Sequence, residues 1–181
     1  ICGVFNLSDT LPPVEPELLR KMVGALYHRG PDENGGYRDA RAALGHTRLS
    51  IIDLSGGKQP MCNETGDVWL VFNGEIFNYL ELAEELKAAG HVFATKSDTE
   101  TIVHAYEQWG PACVERFNGQ FAIAIWDRPK RRFMLARDRV GIRPLYYAKL
   151  GERLHFGSEI KTILQDPDVP RRLDPRGLAH V

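Results

Sequence analysis

At 181 residues the chain is the size of one domain, and a composition of 43% hydrophobic and 26% charged residues excludes a disordered tail or a fibre. Lys and Arg number 23 against 24 Asp and Glu, so a formal charge of −1 predicts no bulk electrostatic pull toward nucleic acid or an anionic membrane. No apolar run approaches the roughly 20 residues of a membrane helix, and no signal-peptide pattern opens the chain. Cys2, Cys62 and Cys113 lack the paired spacing of a disulfide framework or zinc site. The expectation is therefore a reduced, cytoplasmic domain.

The first segment, residues 1–7, reads as a buried strand ended by Ser8-Asp9-Thr10. Pro16 suits the first turn of a helix whose apolar face is Leu18, Leu19, Met22, Val23 and Leu26. Gly30-Pro31 stops it. Residues 42–52 read as strand and 55–60 as loop. Val68–Phe72 is a short apolar run expected to be buried on both faces, with Asn73-Gly74 as a turn at its end. A helix is expected from Tyr79 to about Ala89, closed by Gly90. Ser97-Asp98-Thr99-Glu100 has capping-box spacing before the face Ile102, Val103, Tyr106, Trp109. Strands over 121–126 and 133–136, then 145–148 and 154–157, read as hairpins. Strands that do not alternate regularly with helices predict an α+β fold built on antiparallel sheet.

Arg48, Asn73-Gly74-Glu75 and Asp98 stand at predicted strand ends or a helix start, where separate segments can converge. A guanidinium matches a carboxylate bidentately, two carboxylates suit an ammonium, and an Asn amide beside a Gly N–H suits an oxyanion. Together they would recognise a free amino acid and its reacting amide. Each residue also has an ordinary reading: a tight turn for Asn73-Gly74, dipole compensation for Asp98, a surface arginine for Arg48.

The order of several motifs carries a resemblance. Ile1-Cys2-Gly3-Val4-Phe5-Asn6, His28-Arg29-Gly30-Pro31-Asp32, residues 46–53, Gln59-Pro60-Met61, residues 72–78, 97–100, 118–122, 137–147 and 157–161 resemble the glutaminase domain of asparagine synthetases. That domain is a class II, N-terminal-nucleophile glutamine amidotransferase, and the likeness covers nearly all of residues 1–181. It implies a four-layer αββα N-terminal-nucleophile hydrolase fold with two stacked antiparallel sheets. It implies that Arg48 binds the carboxylate of L-glutamine and that Glu75 and Asp98 take its ammonium end. Asn73 and Gly74 would form the oxyanion hole, and backbone groups of Ile51 and Ile52 would line the pocket. No cofactor is implied for this domain; ATP and Mg are expected for a synthetase half absent from this chain. Expected partners are that half and glutamine, with a homodimer left open and neither nucleic acid nor membrane involved.

The family's chemistry needs a first-residue cysteine whose thiolate attacks the amide while its free α-amine acts as base. Cys2 follows Ile1, so its nitrogen is an amide. Two alignments compete. The favoured one places the nucleophile upstream of Ile1, encoded as Met-Cys-Gly before it, and leaves Cys2 as an ordinary strand residue. The other uses Cys2 itself.

Ser55-Gly56-Gly57 lacks the residues of a pyrophosphate loop and reads as plain loop. Lys130-Arg131-Arg132 reads as a solvated turn. His28, His46, His91, His104, His155 and His180 form no recognisable metal pattern, so no metal is expected. Arg29 and Arg137-Asp138-Arg139 suggest buried salt-bridged turns or a docking surface. The functional expectation is a domain hydrolysing glutamine to glutamate and ammonia, feeding an ATP-dependent asparagine synthetase-like half. The alternatives are a nucleophile-less glutamine-binding or scaffolding domain, or an amidotransferase for a different carboxylate acceptor.

Overall fold

The computed structural model describes residues 1–48 and 57–172, with Pro175. In chain order the elements are β1 (Cys2–Asn6), α1 (Pro16–Gly24), β2 (Glu33–Arg38), β3 (Ala42–Arg48), β4 (Met61–Cys62), β5 (Val68–Ile76), α2 (Tyr79–Ala88) and α3 (Asp98–Trp109). They continue with β6 (Gly119–Asp127), β7 (Arg132–Arg137), β8 (Tyr146–Leu150), β9 (Arg153–Gly157) and the short α4 (Ile160–Ile163). One sheet has the order β2-β3-β1-β9-β8 and the other β4-β5-β6-β7, and every strand pairing is antiparallel.

Three apolar clusters define the layers. Alternate residues of a strand point to opposite faces. Ile1 and Phe5 of the first sheet meet Val71, Ala124 and Trp126 of the second, forming the core between the sheets. Cys2 and Val4 point the other way, onto Leu19, Met22 and Leu26 of α1 and the turn after it. On the far side Leu70, Phe72, Ile123 and Ile125 pack against Ile102 and Tyr106 of α3 and Leu86 of α2. The layers are thus helix, sheet, sheet, helices, the α+β arrangement expected. Both sheets carry side chains buried on both faces, which is why Val68–Phe72 reads as a continuous apolar run.

The structure departs from the expected elements at three places. β5 does not stop at a turn after Phe72: Asn73 pairs with Ala122, Gly74 with Phe121 and Glu75 with Gln120. Gly74 has φ +155, and a Cβ there would overlap the Gln120 carbonyl oxygen, so the glycine serves close strand approach and not chain reversal. β2, with its adjacent Gly35 and Gly36, gives little strand signal and is held by a full ladder to β3. Ser97 does cap α3, its Oγ accepting from Glu100 N at 3.2 Å, but the Glu100 carboxylate does not complete a capping box. It accepts instead from Ala94 N and Thr95 N, both at 2.6 Å, fixing the segment that precedes the helix.

Candidate active site

The face shared by the two sheets changes character at one end. Along β3, Ala42 and Leu44 belong to the intersheet core, and the same alternation brings His46 and then Arg48 to that face. Along β5 the corresponding residues are Trp69, Val71 and then Asn73. Where the apolar side chains run out, a cavity of about 480 Å³ opens. Its lining includes Arg29, Arg48, Asn73, Gly74, Glu75 and Asp98. The structure therefore brings together five of the residues singled out from sequence, from β3, β5 and the first turn of α3.

Asn73 presents the clearest chemical feature. Its side-chain Nδ2 is buried and has no hydrogen-bond partner among the described residues. A buried N–H donor left unsatisfied costs on the order of 1–3 kcal/mol, so an acceptor brought beside it is strongly favoured. Asp98 also lines the cavity: one carboxylate oxygen accepts from Ile76 N at 3.1 Å, tying the start of α3 to the end of β5. Burial raises its pKa, with the nearby Glu75 carboxylate adding to the rise and the Ile76 and Thr99 N–H groups opposing it. A cation entering beside these two acids would relieve that penalty.

Arg48 ends β3 with its side chain only 18% exposed, and Nη1 lies 3.5 Å from Glu33 Oε2. Arg29 also lines the cavity and is paired with Glu159 at 3.2 Å. The cavity lining thus carries both guanidinium groups and carboxylates, the complements of the two charges of an α-amino acid.

Gln59 and His46 were not among the residues read as functional. Gln59 Oε1 accepts from Phe72 N at 2.6 Å, satisfying an edge N–H of β5 beyond the short β4 ladder. Only its place in the Gln59-Pro60-Met61 motif could have signalled it. His46 is 7% exposed, and burial lowers its pKa to about 3; a bond to the Phe72 backbone opposes this. It links β3 to β5 as a neutral imidazole.

Other residues singled out from sequence lie elsewhere. Cys2 does not line the cavity: it is wholly buried on the α1 side of the sheet, and burial pushes its thiol up to about 12. The cause is parity, since Cys2 falls on the opposite face from Ile1. Ile51 and Ile52 lie outside the described residues. Asp138 forms no salt-bridged turn with Arg137 or Arg139. Its carboxylate accepts from the backbone N–H groups of Phe121, Ile142 and Arg143, while Arg137 donates to the carbonyls of Arg143 and Gly141.

Comparison with known proteins identifies the family. Over 100% of its length the chain is 40% identical to asparagine synthetase [glutamine-hydrolyzing] 3 of Bacillus subtilis, of which it covers 30%. It is 41% identical over 96% of its length to asparagine synthetase [glutamine-hydrolyzing] 2 of the same organism, covering 24% of that protein. The chain thus spans under a third of these relatives. Among solved structures, the glutamine phosphoribosylpyrophosphate amidotransferase of B. subtilis superposes with a TM-score of 0.72 at 20% identity, over 90% of this chain and 42% of that one. That likeness carries the fold. The family described as "Glutamine amidotransferase domain" matches residues 1–181, and the two stacked sheets are in keeping with it: the chain belongs to the glutamine amidotransferase domain family.

Proposed function

We propose that this domain binds L-glutamine in the intersheet cavity, hydrolyses it to glutamate and ammonia, and supplies the ammonia to an ATP-dependent, asparagine-forming half of a longer protein. The observation that carries the reading is the Asn73 Nδ2, without a partner among the described residues, beside Gly74 in a cavity also lined by Arg48 and Asp98. Arg48 takes the glutamine carboxylate, Asp98 and Glu75 its ammonium, and Asn73 with the Gly74 N–H receives the amide oxygen as it gains charge.

The nucleophile in this reading is a cysteine two residues upstream of Ile1. In the β1–β3 register Cys2 faces Gly45, so a residue two places before Ile1 falls opposite Arg48. It also has the parity of Ile1, whose side chain belongs to the intersheet core. Cys2 has the opposite parity. As a first residue, the upstream cysteine transfers its thiol proton to its own α-amine, and the sulfur attacks the amide carbon. The proton leaves with ammonia, and water then cleaves the thioester to glutamate. This chemistry needs no cofactor in the domain. ATP and Mg²⁺ serve the other half, and the protein works in the cytoplasm.

The test is glutamine-dependent ammonia release by the protein expressed from its full gene, with asparagine formation from aspartate and ATP as the second readout. Both are expected, and replacing the upstream cysteine by alanine should abolish the first while leaving synthesis from free ammonium. Ammonia release from a chain whose intact mass shows Ile1 as first residue would overturn the assignment.

A further inference from the structure

On α3, His104 and Glu107 are three residues apart and so share one face of the helix. The third member comes from the end of α2. Gly90, at φ +100, turns the chain back: Gly90 N donates to Lys87 O and His91 N to Leu86 O, both at 3.0 Å. This 5→2 and 6→1 pair is a Schellman motif, and it fixes the backbone of His91. His91 Nδ1 then lies 3.2 Å from His104 Nδ1 and 3.7 Å from Glu107 Oε2, and His104 Nδ1 lies 2.9 Å from the same oxygen. His104 is 2% exposed and takes no part in the glutamine cavity.

Neighbouring polar groups orient the members of the cluster. His91 Nε2 is 3.0 Å from Gln108 Oε1, an acceptor, so that nitrogen carries the proton and Nδ1 the lone pair. His104 Nε2 has no hydrogen-bond partner among the described residues and lies 3.6 and 3.8 Å from Glu64 and Glu100 carboxylate oxygens, while its Nδ1 donates to Glu107 Oε2; a cation bound at Nδ1 would displace that proton. Glu107 is oriented by Asn63, whose Nδ2 donates to the other carboxylate oxygen at 2.7 Å. Two imidazole Nδ1 atoms and a carboxylate oxygen thus converge, and His91 and Glu107 are each steered from behind by a side-chain amide, as metal ligands are. Tetrahedral ligands bound at about 2.0–2.1 Å stand about 3.3 Å apart. The three separations here bracket that value.

We propose that His91 Nδ1, His104 Nδ1 and Glu107 Oε2 bind one zinc-class divalent cation, with water as the fourth ligand. The donor set of two imidazoles and one carboxylate favours zinc over magnesium or calcium, which prefer all-oxygen shells. The ion joins the end of α2 to the middle of α3. It thereby braces residues 91–97, the segment that delivers Ser97 and Asp98 to the cavity wall. Its role is structural support, away from the reacting atoms.

The test uses the protein expressed from its full gene, stripped with a chelator and titrated with zinc and, separately, with cobalt(II). One more equivalent of zinc should bind to the wild type than to His91→Ala or Glu107→Gln, and cobalt should give the intense visible bands of a tetrahedral site only in the wild type. Loss of a ligand should weaken zinc by more than the roughly 10- to 100-fold that loss of an orienting partner costs. Zinc should also slow amide exchange across 91–97. Glu107→Gln keeps the side chain's shape and an oxygen for Asn63, and circular dichroism checks both folds. Equal zinc content in wild type and both folded variants, as exposed Cys62 would produce, overturns the proposal. So does a wild type that binds none.

Discussion

Two side chains at the cavity are expected to separate binding from turnover. Arg48→Ala removes a charge-assisted bidentate contact, a loss on the order of 1.5–3 kcal/mol, and should raise the glutamine KM roughly 10- to 150-fold. Arg48→Lys should recover little, because an ammonium cannot reproduce the planar fork. Steady-state kinetics of the two variants checks this. Asn73→Ala should instead lower kcat by about 10²–10³ with near-normal glutamine affinity, since the oxygen it receives gains its charge only in the transition state. Because Asn73 Nδ2 is buried without a partner among the described residues, the same substitution should leave the melting temperature unchanged or raised. A large drop in Tm would mean that the amide supports the fold and not the reaction.

At the scale of elements, the expectations concern how α3 and β5 present those side chains. Gly74→Ala combines a positive φ with overlap onto the Gln120 carbonyl, and should destabilise the domain by more than about 2 kcal/mol in urea unfolding. Removing the Ser97 cap of α3 is milder: Ser97→Ala should cost about 1 kcal/mol. Asn73-Gly74 shows where local reading stops. The dipeptide carries a turn signal whatever surrounds it, and the strand continues only because β6 lies alongside to accept its ladder. The capping-box spacing at Ser97 was half realised for a similar reason, since Glu100 finds two closer N–H groups in residues 94 and 95.

For the whole molecule, His46 couples the two sheets to pH. Its folded-state pKa lies near 3, below the ordinary value of 6.5. Between these values the unfolded chain binds a proton that the folded chain does not, so stability is full above about pH 6.5 and falls as pH is lowered toward 3. From pH 7 to pH 5 the loss should be about 2 kcal/mol. Urea midpoints of wild type and His46→Gln across that range should diverge, with the variant the flatter of the two. Parallel pH dependence in both proteins would show that other groups carry the acid sensitivity.

Much of this protein was legible without coordinates. Apolar spacing marked α1, α2 and α3, because a helix declares its buried face every three to four residues. The unbroken apolar run at 68–72 announced a sheet covered on both sides, and the ordered motifs carried the family. Arg48, Asn73, Gly74, Glu75 and Asp98 could be singled out as chemically apt, yet spacing alone left each with an ordinary alternative. Tertiary structure decided the rest. Strand parity separates the faces of Ile1 and Cys2, and that depends on which side the second sheet packs. The Asn73 amide, buried and without a partner among the described residues, takes that state only once β5 is packed into its sheet. His91, His104 and Glu107 formed no pattern in the chain because their convergence is made by a glycine-turned helix end folding onto a second helix. Local propensity follows from neighbours in sequence; sites assembled from separate elements follow from packing, which no short window of sequence contains.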